Sequence, residues 1–425
     1  MKKRFNMKKK ISVGLATILA TAVGLSACNI WATNYQFDVP SYDEDTAITI
    51  GVWNGSHFDL SEEELSNLQK AGVNLLLGTY TKNTPLETFI DLCAKYELNV
   101  IADQRPWNGL TPSYINKDNF WGFCVYDEPF MEDLATLTKM KQEYTQKMGD
   151  RMFYVNLNPS YANIGVPYEK YLEAYIDECG LEMVSFDNYS LMKDENTGET
   201  YVREEYLYDF DVCSYYAKEA GIPLWYTLLT SGHLWYVNPT ADDLIWQMNL
   251  AMTYGSKYLL HYIYSSHEPT YLYPMVDMEG KPTETYYKVS EANAAIRAWD
   301  HIYMNYEWLG TSAVEGSKEQ TGLFDCLKYN LEIDETYALK NASSNYDVLV
   351  GHFEDEDGRR GYMVTNTTNP YDEQTAEVSL TISSKYQGAL VIQNGEEKVV
   401  TLENGKLSLE VDATGAAFVI PLKAK

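Results

Sequence analysis

Trp121-Gly122-Phe123-Cys124-Val125-Tyr126-Asp127-Glu128-Pro129 is an apolar run that ends in two carboxylates and a proline. Continuous apolar runs of this length bury in parallel sheets. Proline stops the strand because it cannot donate to the ladder. Asp127 and Glu128 are therefore expected at the strand's carboxyl end. In a barrel of alternating strands and helices, that end is the one that carries chemistry.

The surrounding chain supplies such a barrel. Strand patterns fall at 47–53, 73–79, 99–103, 120–126, 152–157, 183–188, 224–229 and 258–264. Amphipathic segments lie between them at 61–71, 85–96, 132–147, 168–178, 206–219 and 241–254. Ser61-Glu62-Glu63-Glu64 has the pattern of a capping box. Gly72, Gly180, Gly221 and Gly255 stand where helices should end. Eight β/α units in about 260 residues match one (β/α)8 TIM barrel, an α/β fold. A doubly wound open sheet is the alternative. The first strand is followed by no Gly-rich phosphate loop, which argues against a nucleotide-binding version. Residues 283–305 read as a closing helix. Beyond about 310 the pattern turns to short alternating strands, at 347–353, 361–366, 377–382, 389–393, 398–402, 407–411 and 416–421, set off by Asn394-Gly395 and Asn404-Gly405. This predicts a C-terminal antiparallel β-sandwich. The domain reading is 1–27 leader, 28–46 tether, 47–308 barrel and 309–425 sandwich. The sandwich shows no acid–base constellation, and a carbohydrate-binding role for it stays open.

The leader has a basic start, Lys2 to Arg4 and Lys8 to Lys10, then an apolar core too short to span a bilayer as a mature helix. It ends in Leu25-Ser26-Ala27-Cys28, which resembles a bacterial lipobox. That resemblance implies cleavage before Cys28, lipidation of its thiol and anchoring to the membrane outside the cytoplasm. The formal net charge is −28, and without the six basic residues of the leader it is −34. Such a surface repels phosphate backbones, so nucleic acid is not an expected partner. Of the six cysteines, Cys93, Cys124, Cys179 and Cys213 fall inside predicted elements and read as small core residues. Their spacing, with Cys326, fits no zinc pattern. Tyrosine is abundant, 36 against 13 Phe and 9 Trp. Tyr and Trp pair an apolar face with a polar handle, which suits sugar rings as well as large protein surfaces.

The ends of the eight strands form a ring of polar and aromatic groups. In chain order they offer Trp53; Tyr80; Asp103, Arg105 and Trp107; Asp127 and Glu128; Asn156 and Asn158; Asp187 and Tyr189; His233 and Trp235; and Tyr262, Tyr264 and Glu268. Phosphate chemistry would want more cations, and zinc hydrolysis a denser His cluster. Cleaving an acetal needs two carboxyl groups and a pocket that orients hydroxyls. Nothing here demands a metal or organic cofactor. Plainer readings exist for each group. Asp127-Glu128-Pro129 also suits a helix N-terminus, and Asp187 or Glu268 can serve as loop anchors. Arg105 can pair with Asp103 or hold a substrate carboxylate. His233 and His261 read as hydrogen-bonding groups rather than metal ligands. Trp107 and Trp235 are stacking platforms or core, and Trp225 is core.

With these residues quoted, the chain resembles the bacterial (β/α)8-barrel glycoside hydrolases over residues 47–308. In the clan that includes β-galactosidases and endoglucanases, strand four ends in Asn-Glu-Pro, and its Glu is the acid/base. Asp127-Glu128-Pro129 matches those positions. The segments 246–257 and 277–283 are similar to a group of gut-bacterial glycosidases that carry Asp-Glu-Pro. The resemblance implies a glycoside hydrolase acting on an extracellular oligo- or polysaccharide. It departs from the clan at strand seven, where Trp225-Tyr226-Thr227-Leu228-Leu229-Thr230 contains no Glu nucleophile. Asp187 is the best substitute, then Glu268, then Asp103. Strands four and six are the pair used by another clan of barrel glycosidases, with Asp at both. Glu128, beside Asp127, Tyr126 and Trp121, suits a raised pKa and the acid role, with Asp187 ionised. Substrate contacts are expected from Trp53, Tyr80, Arg105, Trp107, Asp127, Asn156, Asn158, Tyr189, His233, Trp235, Tyr262, Tyr264 and Glu268. The competing reading is a non-catalytic carbohydrate-binding surface lipoprotein derived from such a barrel. A transporter solute receptor is a third, disfavoured by the lone barrel with its sandwich.

Overall fold

The strand-and-helix alternation folds into an eight-stranded, all-parallel sheet. In this computed structural model the described residues are 35–55, 59–266, 271–334 and 337–425. Gln36–Lys425 form one compact unit. The barrel half runs β1 (Thr49–Trp53), α1 (Glu62–Lys70), β2 (Leu75–Thr79), α2 (Leu86–Lys95), β3 (Asn99–Asp103), β4 (Phe120–Asp127), α3 (Leu134–Met148), β5 (Met152–Asn156), α4 (Tyr168–Glu173), β6 (Val184–Asp187), a hairpin of β7 (Leu191–Lys193) and β8 (Thr200–Val202), α5 (Tyr206–Ala220), β9 (Leu224–Leu229), α6 (Ala241–Thr253), β10 (Tyr258–Tyr262), α7 (Glu284–Arg297) and α8 (Asp300–Tyr303). Sheet order is β5-β4-β3-β2-β1-β10-β9-β6. The ring closes between β5 and β6 through a Leu157–Phe186 bridge, with Leu157 N–H donating to the Ser185 carbonyl at 2.7 Å. The barrel is therefore nearly closed.

Local chemistry explains the elements. Ser61 Oγ accepts from Glu64 N–H, and the Glu64 carboxylate accepts from Ser61 N–H, the reciprocal cap that the sequence predicts. Thr240 and Asp243 make the same cap on α6. Gly221 ends α5 in the left-handed conformation. Alternate side chains of the strands divide between two cores. Leu75, Leu77, Ile101, Cys124, Tyr154 and Leu260 fill the barrel interior, and Trp225, Tyr258 and Trp121 plug its amino end. The opposite faces pack against the helices. Cys93, Cys124, Cys179 and Cys213 are buried and free, as core residues.

Two antiparallel sheets follow. The strands are β11 (Tyr306–Val314), β12 (Leu339–Ser344), β13 (Val348–Asp355), β14 (Arg360–Asn366), β15 (Ala376–Ile382), β16 (Gly388–Gln393), β17 (Glu396–Thr401), β18 (Lys406–Val411) and β19 (Ala416–Leu422). The larger sheet runs β11-β13-β14-β19-β16-β17 and the smaller β12-β15-β18. A shared apolar core lies between them.

Four details correct the sequence reading. The hairpin β7–β8 and the strands β11 and β12 were not expected. β11 starts at Tyr306, inside the range read as barrel, and its bulge at Trp308/Gly310 interrupts the alternation that would announce it. The closing helix breaks into α7 and α8 at Trp299, whose φ of −143° is not helical. The tether does not run free to residue 46. Phe37 bridges Ala424, Lys425 N–H donates to Gln36 O at 2.8 Å, and Tyr42 meets Tyr306 hydroxyl to hydroxyl at 2.6 Å. Cys28 lies outside the described residues. Among the described residues no helix is long and apolar enough to cross a membrane.

Candidate active site

The end of β4 is clamped by backbone acceptors. Glu128 takes a φ of +50°, rare for a residue with a Cβ, and its N–H donates to Asn156 O at 2.8 Å. The next carbonyl, that of Pro129, accepts from Asn158 Nδ2 at 2.8 Å and from the Tyr171 hydroxyl at 2.7 Å. Tyr175 holds the Phe130 carbonyl at 2.7 Å. This turn aims the Asp127 and Glu128 carboxyls over the barrel mouth.

A cavity of about 320 Å³ opens there. Its floor carries Asp127 and Glu128 from β4, Asn156 from β5, Asp187 from β6 and Thr227 from β9. Its walls are aromatic: Trp53, Tyr189, His233, Tyr236, Tyr262 and Tyr271. Tyr189 stacks on Tyr262 with centroids 5.7 Å apart, and His233 packs against Tyr271 at 4.8 Å. His233 Nδ1 lies 2.8 Å from the Ser231 carbonyl, which can only accept. The ring therefore carries its proton on Nδ1 and leaves Nε2 as an acceptor. Burial lowers its pKa and outweighs the Ser231 carbonyl, which raises it.

Charge in the cavity is lopsided. Arg105 binds Asp103 through two nitrogens at 3.0 Å and reaches Asp127 at 3.3 Å. The carboxyl groups of Glu128 and Asp187 stand within hydrogen-bond reach of each other. Asp187 is 3% exposed, whereas Glu128 is exposed. Burial first, then the charges of Glu128 and Asp127, push Asp187 well above the usual carboxylate range. Desolvation and the neighbouring Asp127 also raise Glu128. Two carboxyls this close cannot both ionise cheaply, so Glu128 raises Asp187 while the hydrogen bond to Asp187 lowers Glu128. The sequence reading puts the proton on Glu128; the deeper burial of Asp187 is an argument for the opposite division. Among the described residues no His, Cys, Asp and Glu cluster is arranged to hold a metal ion.

The structure gathers nine of the sequence-read residues around this cavity: Trp53, Asp127, Glu128, Asn156, Asn158, Asp187, Tyr189, His233 and Tyr262. Others fall elsewhere. Arg105 acts on the cavity through Asp127, and Asp103 is taken up by Arg105. Trp107 is 7% exposed and packs edge-on to Tyr144, as core. Tyr264 is buried with its hydroxyl on Glu64. Tyr80 and Trp235 are solvent-exposed and off the lining. His261 points outward, with Nε2 on Asn293 of α7 at 2.8 Å. Glu268 lies outside the described residues. Sequence reasoning missed Tyr161, Tyr236 and Tyr271, which lie in loops whose path no periodicity announces.

The chain matches no family model and no curated protein. Solved structures do match. A glycoside hydrolase family 5 protein from Bacteroides vulgatus aligns with a TM-score of 0.51 at 9% identity, over 88% of this chain and 89% of that one. A protein described as a glycoside hydrolase gives 0.50 at 10% identity, over 88% and 92%. An Anoxybacillus α-amylase gives 0.50 at 9% identity, over 89% and 98%. The chain thus has the barrel-like fold of glycoside hydrolases, a likeness of fold at these identities.

Proposed function

We propose that this protein is a glycoside hydrolase that cleaves glycosidic bonds of an extracellular glycan. In this reading a lipid on Cys28 tethers it to the bacterial membrane. The observation that carries it is the pair of carboxyls, Glu128 and Asp187, in contact on the floor of an aromatic-walled cavity at the barrel's carboxyl end. Asp187 is the acid and Glu128 the nucleophile. The glycosidic oxygen replaces Glu128 as acceptor of the Asp187 proton, and Glu128 attacks the anomeric carbon to form a glycosyl ester. Water, deprotonated by Asp187, then cleaves that ester. An inverting pair needs roughly 6.5–9.5 Å between carboxyls for a water, so a pair within hydrogen-bond reach favours retention. Trp53 and the tyrosines supply faces for the sugar ring.

One observation favours a second reading, a non-catalytic glycan-binding lipoprotein. The end of β9, where the resembled clan carries its nucleophile, presents Thr227-Leu228-Leu229. Hydrolysis of a glycan panel by residues 29–425, beside Glu128→Gln and Asp187→Asn, separates the two. The hydrolase reading expects each variant to lose about 10²–10⁴-fold in kcat. Binding without release by the unmutated protein would establish the binder.

A further inference from the structure

Behind the carboxyl pair runs a buried chain of side chains with a fixed direction. Asn156 Nδ2 donates to Asp187 Oδ1 at 2.6 Å and, more weakly, to Asp127 Oδ1 at 3.4 Å. Asn156 Oδ1 accepts from Ser185 Oγ at 3.2 Å. Ser185 Oγ lies 2.7 Å from the Tyr154 hydroxyl. Because Ser185 has spent its one proton on Asn156, Tyr154 must donate to Ser185. The order is Tyr154 to Ser185 to Asn156 to Asp187. Exposure is 0% for Tyr154 and Ser185, and 3% for Asn156 and Asp187. The Tyr154 and Ser185 links are closed to water.

This direction matters for an amide, whose two ends have opposite hydrogen-bonding character. With Oδ1 held by Ser185, only the NH₂ end faces the carboxyls. A flipped amide would present an acceptor to Asp187, which would lock Asp187 in its protonated form. We propose that Asn156 is a positioning residue, held in one amide orientation by Tyr154 and Ser185, that keeps Asp187 able to release its proton. This rests on the hydrolase reading for its consequence but not for its geometry. The donated hydrogen bond stabilises the Asp187 carboxylate, opposing the burial that would otherwise trap the acid. It also holds Asp187 Oδ1 in place.

Asn156 is the first of two donors that favour the Asp187 carboxylate, the other being the backbone N–H of Asp187 itself. Glu128 and Asp127 on β4 disfavour its charge. Arg105 spends itself on Asp103 and Asp127. The phenols of Tyr161, Tyr189, Tyr226 and Tyr262 are pushed up by burial and bring no charge to it, and burial lowers the His233 pKa.

The test follows Asp187 directly. Carboxyl-13C NMR titration of residues 29–425, assigned with Asp187→Asn, is run beside the pH profile of kcat for Asn156→Ala, Ser185→Ala and Tyr154→Phe. One hydrogen bond to a charged group corresponds to roughly one to two pH units. Asn156→Ala is expected to raise the Asp187 titration by that amount, with smaller rises in the other two. The alkaline limb of kcat should move with it. Tyr154→Phe keeps the buried ring and guards against loss of fold. Unshifted titration in all three folded variants overturns the proposal. A shifted titration in a protein that cleaves no glycan leaves the positioning role standing and removes the hydrolase reading. Hydrolysis with an unmoved limb and titration does the reverse.

Discussion

Asp209 lies one layer behind the carboxyl pair. Its carboxylate accepts from Ser160 N–H at 3.1 Å and from Asn188 Nδ2 at 2.8 Å, tying the loop after β5 to the end of β6. Complete burial pushes it up to about 7. Between about pH 4 and 7 the unfolded chain gives up this proton while the folded one keeps it, so stability falls as pH rises through that window. Asp209→Asn should remove the fall. The variant's unfolding free energy should equal that of the unmutated protein near pH 3.5 and exceed it increasingly up to pH 7, by roughly 1–4 kcal/mol at the top. An increment that stays flat with pH would contradict this. Single residues were legible in sequence where the backbone dictated them. Pro129 had to end a strand, so Glu128 had to sit at its mouth. Burial was not legible, because the lid over Asp187 comes from Tyr161, Tyr189 and Tyr262, which belong to three different strand ends. The acid assignment turns on which carboxyl is the more deeply buried, and no periodicity in the sequence carries that difference. Trp107 failed for a related reason. An indole at a strand end serves a cavity or a helix equally well, and Tyr144 settled the matter.

At the level of elements, β4 depends on one glycine. Gly122 has a φ of +154°, and a Cβ there would stand 2.1 Å from the Met152 carbonyl oxygen on β5. The Tyr144 hydroxyl fills the irregular seam, accepting from Phe123 N–H at 3.3 Å and donating to Met152 O at 2.7 Å. Gly122→Ala should therefore cost at least about 2 kcal/mol in urea unfolding and disturb the turn that holds Glu128. A neutral substitution would show that β5 can yield there. The barrel strands and their helices were readable because their apolar runs are long and the caps are chemical. Ser61 and Glu64 announce α1 whatever packs on it. The hairpin was not readable, since Leu191–Lys193 and Thr200–Val202 hold three residues each. It exists through its neighbours. Lys193 N–H donates to Trp235 O at 3.0 Å and Val237 N–H to Leu191 O at 3.1 Å. β12 stayed hidden too, because Leu339–Ser344 is polar on an edge and lacks β-branched residues.

In the whole molecule, the sandwich and barrel share structure. Trp246 Nε1 on α6 donates to Asn366 O at 3.1 Å, Thr253 meets Thr365 at 2.6 Å, and Tyr303 and Phe418 join one cluster with Phe353. The segment between β11 and β12 reaches back to the barrel. Tyr329 stacks on Tyr215 at 3.7 Å, and Asp211 accepts the backbone N–H groups of Lys328 and Tyr329. Two domains were legible from the change of period near residue 310. Which surfaces join was not, because neither half shows from its own pattern which face the other covers. Residues Gln36–Lys425 should unfold in a single transition by calorimetry. Trp246→Ala should lower that one transition by about 3–5 kcal/mol, and splitting into two transitions would refute the union. The bridge between Phe37 and Ala424 has a consequence of another kind. With its two ends stitched side by side, the folded unit behaves as a ring that happens to have been cut there. The cut is movable. A short linker from Lys425 to Gln36 would let the chain begin and end at an exposed hairpin tip such as Asn394-Gly395, with every strand of the barrel left in its place.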